Sequence, residues 1–277
     1  VLDIVGTLTP RAVFTARIGF NRFKQTSQYQ PIDIGSLGFP KAFVGQLQIP
    51  DAYPQFTFEN YLQTGINQWD IVPSETYSAQ AGMNHILGRH TLKYGFEYRL
   101  MHRADFVRSN ASGTFSFSRS FTTVTPDVSD ANSGNAIASF LLGYMSAASA
   151  ALNATPYVSW RYPVMYVQED WRVMRRLTVN IGLRWDYESP PYERYNRQNR
   201  GFDFTSPSPI RVEGLQLRGG LLFSGVNGVP RGAYRRDWDN IQPRFGFAYK
   251  VFQSKPLVFR GGIGRSYLPT VETGGST

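Results

Sequence analysis

From Leu177 to Tyr187 the chain alternates without interruption. Leu177, Val179, Ile181, Leu183, Trp185 and Tyr187 share one parity; Thr178, Asn180, Gly182, Arg184 and Asp186 share the other. Successive side chains of a β-strand point to opposite faces, so this run has one wholly apolar face and one polar or small one. The pattern recurs. Leu92, Tyr94, Phe96, Tyr98 and Leu100 oppose Lys93, Gly95, Glu97 and Arg99. Phe245, Phe247, Tyr249 and Val251 oppose Arg244, Gly246, Ala248 and Lys250. Leu257, Phe259, Gly261, Ile263 and Tyr267 oppose Gly262, Gly264 and Ser266, and Phe14, Ala16, Ile18 and Phe20 oppose Thr15, Arg17, Gly19 and Asn21. Trp160 to Trp171 is less regular. Tyr162, Val164 and Tyr166 compete with Met165 and Val167 for the apolar face, Pro163 removes a ladder donor, and a bulge is predicted there.

The connections differ sharply in length. Gly88-Arg89 has glycine first, as a tight type II′ hairpin requires. Thr9-Pro10, Val173 to Arg175 and Gln253 to Pro256 are further short breaks. Between these hairpins lie three long irregular stretches rich in Ser, Asn, Gly, Pro and Tyr, roughly Lys24 to Trp69, Ala104 to Pro156 and Pro190 to Asn240. The chain therefore reads as about eight strands, most about 10 to 14 residues long, beyond the roughly 5 to 6 usual in soluble domains. Structureless loops beyond about 15 residues are rare in compact soluble domains, and here all the long ones fall on one side of the hairpin alternation. Short periplasmic turns, long extracellular loops and tilted strands of about 9 to 11 residues are the marks of a transmembrane barrel.

Composition narrows the alternatives. Only 18% of residues are charged and 15% are aromatic, against about 25% charged in an average soluble domain. Intrinsic disorder needs the reverse. A mean hydropathy of −0.31 does not suit a helical membrane bundle. Ala136 to Ala154 carries no charge, but its Ser, Gly and Asn make it too polar for a span. Its first half is predicted to be a short loop helix with Ile137, Phe140, Leu141 and Tyr144 on one face. Zero cysteine excludes disulfides, thiolate metal sites and a cysteine nucleophile. Val1 to Pro10 lacks the pattern of a signal peptide, and the run Glu272 to Thr277 offers no closing element. The expectation is a fragment, residues 1–277 being part of one barrel domain.

Hydrocarbon offers no partners to backbone N–H and C=O groups, so a spanning sheet must close on itself. The predicted fold is all-β, an antiparallel transmembrane β-barrel segment. Strand parity places Lys93, Glu97, Arg99, Arg184, Asp186, Arg244 and Lys250 toward a lumen. It places Leu92, Phe96, Leu177, Val179, Ile181, Leu183, Phe245 and Phe247 toward lipid. A slip of one residue would invert every one of these assignments. Trp160, Tyr162, Trp185, Tyr187 and Tyr267 near the long loops, and Trp171 and Phe252 near short turns, suit headgroup layers.

A family resemblance rests on the same residues. Tyr166-Val167-Gln168-Glu169-Asp170-Trp171-Arg172, followed by Arg176 to Asp186, resembles the strand–turn–strand of TonB-dependent outer-membrane receptors, and of their Oar-like branch in particular. Gly88 to Gly95, Gly134 to Gly143 and Gln242 to Tyr249 are similar to further stretches of that branch, and the ordered set spans about Arg11 to Pro269. Glu169 and Met174-Arg175 depart mildly from the pattern, where Asp and Thr-Pro are common. The resemblance implies a 22-stranded barrel of which this chain is a middle portion. It also implies an upstream plug domain, a TonB complex and outer-membrane lipid as partners.

Little points to covalent chemistry. Glu169 and Asp170 are adjacent and face opposite ways, which suits salt bridges better than paired acid–base work. His85 and His90 flank a hairpin and have no nearby carboxylate in sequence, a weak metal site. Gly261 to Ser266 lacks phosphate-loop spacing. The formal +9 comes from scattered residues, Arg175-Arg176 and Arg235-Arg236 being the adjacent arginine pairs, which argues against nucleic acid. No enzyme, cofactor or metal is expected. The expected function is capture of an extracellular ligand by the long loops, with Tyr192, Tyr195, Tyr234 and Trp238 as contacts, and TonB-energised passage through a gated lumen. A passive porin or structural barrel, and a soluble all-β adhesin or carbohydrate-binding module, are the alternatives.

Overall fold

The computed structural model describes residues 1–66, 68–125, 132–253 and 256–269. Part of the predicted Gln253 to Pro256 turn and the predicted open end at Glu272 to Thr277 lie outside these residues. The chain divides into two compact units. One comprises Val1–Phe23, Ser74–Arg103 and Pro156–Thr277; the other comprises Lys24–Pro73 and Ala104–Thr155.

Eight long strands form an antiparallel meander in which each lies beside its sequence neighbour. They are β1 (Leu2–Thr9), β2 (Ala12–Thr26), β3 (Gln68–Leu87), β4 (His90–Ala104), β5 (Tyr157–Met174), β6 (Leu177–Asp186), β7 (Ile241–Lys250) and β8 (Val258–Gly264). Among the described residues the sheet does not close, and β1 and β8 are its edges. Short turns join β1 to β2, β3 to β4 and β5 to β6. At Gly88-Arg89, Leu87 pairs with His90 and Gly88 takes φ 63°. Arg89 stays at negative φ, the combination that defines a type II′ turn. The β5–β6 turn is Arg175-Arg176, later than the predicted Val173 to Arg175, because β5 continues to Met174.

Cross-strand register sorts the side chains. On one face Leu177 pairs with Tyr249, Val179 with Phe247, Ile181 with Phe245 and Leu183 with Pro243. On the other, Thr178 pairs with Ala248, Asn180 with Gly246 and Arg184 with Gln242. The β5–β6 ladder runs without a register shift from Val164 to Arg172, and the one irregularity lies beside the turn. Met165, Val167 and Trp171 therefore share the apolar face, and Val164 and Tyr166 the polar one. Of the stretch Trp160 to Trp171 in which a bulge is predicted, the part from Val164 onward pairs with β6 without one, and the irregularity of this ladder falls just beyond, between Arg172 and Met174. Pro163 itself lies within β5.

Exposure runs opposite to that of a water-soluble sheet. Ile181 is 46% and Phe245 49% exposed, whereas Asp186 on the polar face is 4% exposed. The core on that polar face is Met101, Trp160, Tyr162 and Val164. Glycines let neighbouring groups cross it. A Cβ on Gly95 would lie 2.4 Å from the Ala81 carbonyl oxygen and 2.8 Å from the Tyr166 hydroxyl.

The second unit corrects the expectation that Lys24 to Trp69 and Ala104 to Pro156 are irregular. Gln55–Phe58 pairs in parallel with Thr114–Phe117, which pairs antiparallel with Ala147–Ser149. Phe115, Phe117 and Ala136 form its core, packed by Phe39, Phe43, Phe56 and Phe58. The helix expected in this stretch spans Ala136–Leu141 and is capped by Asn135, whose side chain accepts from the Ile137 N–H at 2.8 Å.

Candidate functional site: a polar wall and an arginine-lined hollow

The polar face carries clusters of paired polar groups. Lys93 Nζ lies 3.6 Å from Asp170 Oδ2, and Asn180 donates to Asp170 Oδ1 at 2.5 Å. Arg244 Nη2 donates to Gln168 at 2.8 Å. Arg184 Nε and the Tyr162 hydroxyl donate to the two oxygens of Asp186, at 2.7 and 2.8 Å. Glu97 pairs with Arg99, whose guanidinium lies 5.6 Å from the Tyr162 ring centre. The strands β4, β5, β6 and β7 thus bring Lys93, Glu97, Arg99, Arg184, Asp186 and Arg244 onto one surface. Lys250 stands at the end of β7, opposite Val258. Leu92, Phe96, Leu177, Val179, Ile181, Leu183, Phe245 and Phe247 lie on the other surface by the same register.

One polar contact breaks that sorting. Glu169 falls on the apolar face opposite Ile181, and its Oε1 lies 2.5 Å from His90 Nδ1. His90 stacks on Trp171 with ring centres 5.6 Å apart. The histidine therefore has a carboxylate that sequence proximity did not reveal, because β5 supplies it from a distant part of the chain. His85 instead pairs across the ladder with Leu92. Among the described residues no group of three or more His, Asp or Glu is placed to hold a metal.

The long β6–β7 connection builds a hollow of about 670 Å³. Its lining includes Tyr187, Tyr192, Tyr234 and Trp238 together with Arg161, Arg200, Arg231, Arg235 and Arg236, and contains no carboxylate. Trp238 stacks on Tyr187 with ring centres 3.8 Å apart and planes 3° from parallel. Trp185 Nε1 donates to the Trp238 carbonyl oxygen at 2.9 Å, which ties this loop residue to the end of β6. Burial pushes the Tyr187 phenol up, against the pull of the Arg236 and Arg161 charges. Three of the four predicted loop contacts line the hollow. Tyr195 does not; it is exposed and lies under Arg197, 4.9 Å from its ring centre. The arginines were not singled out from sequence, although the Arg235-Arg236 pair was a signal for them.

Glu193 holds the start of this loop. Tyr192–Glu193 pairs with β5 at Val158 and Ser159. The buried carboxylate accepts the backbone N–H of Tyr195 at 2.8 Å, of Arg197 at 3.0 Å and of Tyr157 at 3.4 Å. Burial alone would raise its carboxyl, but these donors and the Arg197 guanidinium outweigh it and hold the group below the ordinary range. Glu193→Gln turns an acceptor oxygen into an NH₂ facing N–H donors and is expected to cost about 1–3 kcal/mol. A depressed folded pKa adds stability above the unfolded value, and that stability is lost as pH falls through the folded value. Limited proteolysis of the loop should therefore accelerate below about pH 4.3, the ordinary glutamate value, and the Gln variant should be cut rapidly at neutral pH too. Equal cleavage of both proteins at every pH would refute the anchoring role.

A family model described as outer membrane beta barrel domain matches residues 1–276. Among solved structures, the open form of the ferric-catecholate import receptor Fiu from E. coli K12 is similar at a TM-score of 0.42 and 10% identity. The alignment covers 97% of this chain and 35% of that receptor, so the chain spans about a third of its length. No curated protein matches.

Proposed function

Because this chain belongs to the outer membrane beta barrel domain family, we propose that it is the ligand-capturing and lumen-forming part of a TonB-energised receptor of the Oar-like branch. It is a protein of the bacterial outer membrane, and the soluble all-β module drops out with that membership. In this reading the apolar face of β4 to β8 meets lipid and the polar face meets a lumen or a plug domain. The long loops capture ligand, and the work is binding and passage without covalent chemistry. The observation that carries it is the hollow between the β6–β7 loop and the strand ends, where aromatic and cationic side chains converge on space large enough for a small molecule. Cavities of roughly 300–1,000 Å³ with a few placed polar groups are the usual form of such sites.

A passive porin is the competing reading, and conductance separates the two. The full-length protein in a planar bilayer bathed in KCl is expected to show no steady ion current, since a plug would occlude the lumen. A stable open channel under the same conditions would establish the porin instead.

A further inference from the structure

We propose that the β6–β7 hollow is a binding site for a small flat ring carrying two or more negative charges. The inference deepens the receptor reading by assigning its ligand class, and it starts from the condition of the arginines. Two of the five are committed to the protein. Arg200 Nη1 donates to the Pro230 carbonyl oxygen at 3.0 Å and also to that of Gly232. Arg231 Nη2 donates to the Arg194 carbonyl oxygen at 3.1 Å, with its guanidinium 4.9 Å from the Tyr192 ring centre. The side chains of Arg161, Arg235 and Arg236 make no hydrogen bond or carboxylate pair among the described residues. Each guanidinium offers five N–H donors in a planar fork that matches carboxylate and phosphate oxygens two at a time.

Arg161, Arg235 and Arg236 are exposed, so water screens them from one another, and an anion seated in the hollow gains from all three. A neutral ligand would gain nothing from those charges. The aromatic wall adds the second requirement. Trp238 lies parallel on Tyr187 and is still 53% exposed. A flat partner, either an aromatic ring or the C–H face of a pyranose, gains from stacking on such a surface, and a bare inorganic anion does not. The frame is preformed. Arg161 N–H donates to Ser189 Oγ at 2.8 Å, Ser189 N–H to the Arg161 carbonyl oxygen at 2.9 Å, and Ala233 N–H to the Pro191 carbonyl oxygen at 2.9 Å. The loop backbone is then already in place, and the ordering left to oppose binding is that of the arginine side chains.

The test is calorimetric titration of the detergent-solubilised full-length protein with four probes: benzenetricarboxylate, glucose phosphate, glucose and inorganic phosphate. At least one of the two ring anions is expected to bind about tenfold or more tightly than both glucose and inorganic phosphate. Which ring anion leads tells an aromatic acid from an acidic sugar. Arg235→Gln with Arg236→Gln should weaken that binding about tenfold or more. Arg175→Gln with Arg176→Gln removes the same charge at a short turn and should leave it unchanged. Trp238→Ala should erase the preference for the ring anion over inorganic phosphate. Heat-shifted gel migration verifies that each variant is folded.

Glucose binding as tightly as the ring anions, inorganic phosphate matching them, no ring anion binding at all, or equal losses from both arginine pairs would each overturn the proposal. The conductance experiment reads the receptor hypothesis independently. An open channel that binds ring anions would refute energised uptake and keep the site, whereas a closed barrel that binds none would refute the site alone.

Discussion

Phe245→Arg is expected to weaken the barrel in lipid by several-fold more than the same charge placed one strand away on the opposite face. Phe245 lies on β7 between Ile181 and Ile263 and is half exposed. An arginine on the lipid-facing side of a barrel costs about 2–4 kcal/mol at the bilayer midplane and much less near the headgroups. Asn180→Arg supplies the control. Asn180 lies on the polar face and already touches Asp170, so a guanidinium there meets an opposite charge. Urea-induced unfolding of the full-length protein in phospholipid vesicles measures both. Matching stabilities for the two variants would show that the apolar face of β7 does not meet lipid.

Gly95→Val is expected to prevent folding or to cost about 1–3 kcal/mol or more, the range for overpacking a close contact. The obstruction at Gly95 is the backbone carbonyl of Ala81 on the neighbouring strand, 2.4 Å from where a Cβ would sit. Backbone in a paired ladder cannot move aside without breaking hydrogen bonds. Gly182 offers a contrast at the same nominal distance. A Cβ there would lie 2.4 Å from Arg244 Nε and 2.7 Å from its Cγ, atoms of one side chain that can turn to another rotamer. Gly182→Ala should therefore cost only the rotamer change of Arg244 and its bond to Gln168, on the order of 1 kcal/mol. Tyr166→Phe should not rescue Gly95→Val, since the hydroxyl is the lesser obstacle. Vesicle unfolding of the three variants checks this, and equal losses at Gly95 and Gly182 would disprove the distinction.

The β5 register was ambiguous because Val164, Tyr166, Met165 and Val167 are all apolar or aromatic, so parity alone did not choose between them. Pairing with Leu183 and Arg184 on β6 made the choice. The second unit was missed for a different reason. Phe56-Thr57-Phe58 and Phe115-Ser116-Phe117 each show period two, but over too few residues to be read as strands in isolation. They pair in parallel across a long separation, and no local pattern announces such a partner. The hollow's arginines come from residues 161, 200, 231, 235 and 236, dispersed enough to look like scattered surface charge.

The amino-acid order alone determined where the long strands run, which face of β4, β6, β7 and β8 is apolar, and that the turn at Gly88-Arg89 is tight while other connections are long. Those properties depend on side-chain parity and on glycine's freedom at one position, and each is complete within a dozen neighbouring residues. Folding in three dimensions decided which polar groups meet, from Asp186 with Tyr162 and Arg184 to His90 with Glu169, and which cations were left around a hollow without partners. Ion pairs and cavities arise where strands and loops remote in the chain are brought within a few ångströms, and only the register of the assembled sheet sets those distances.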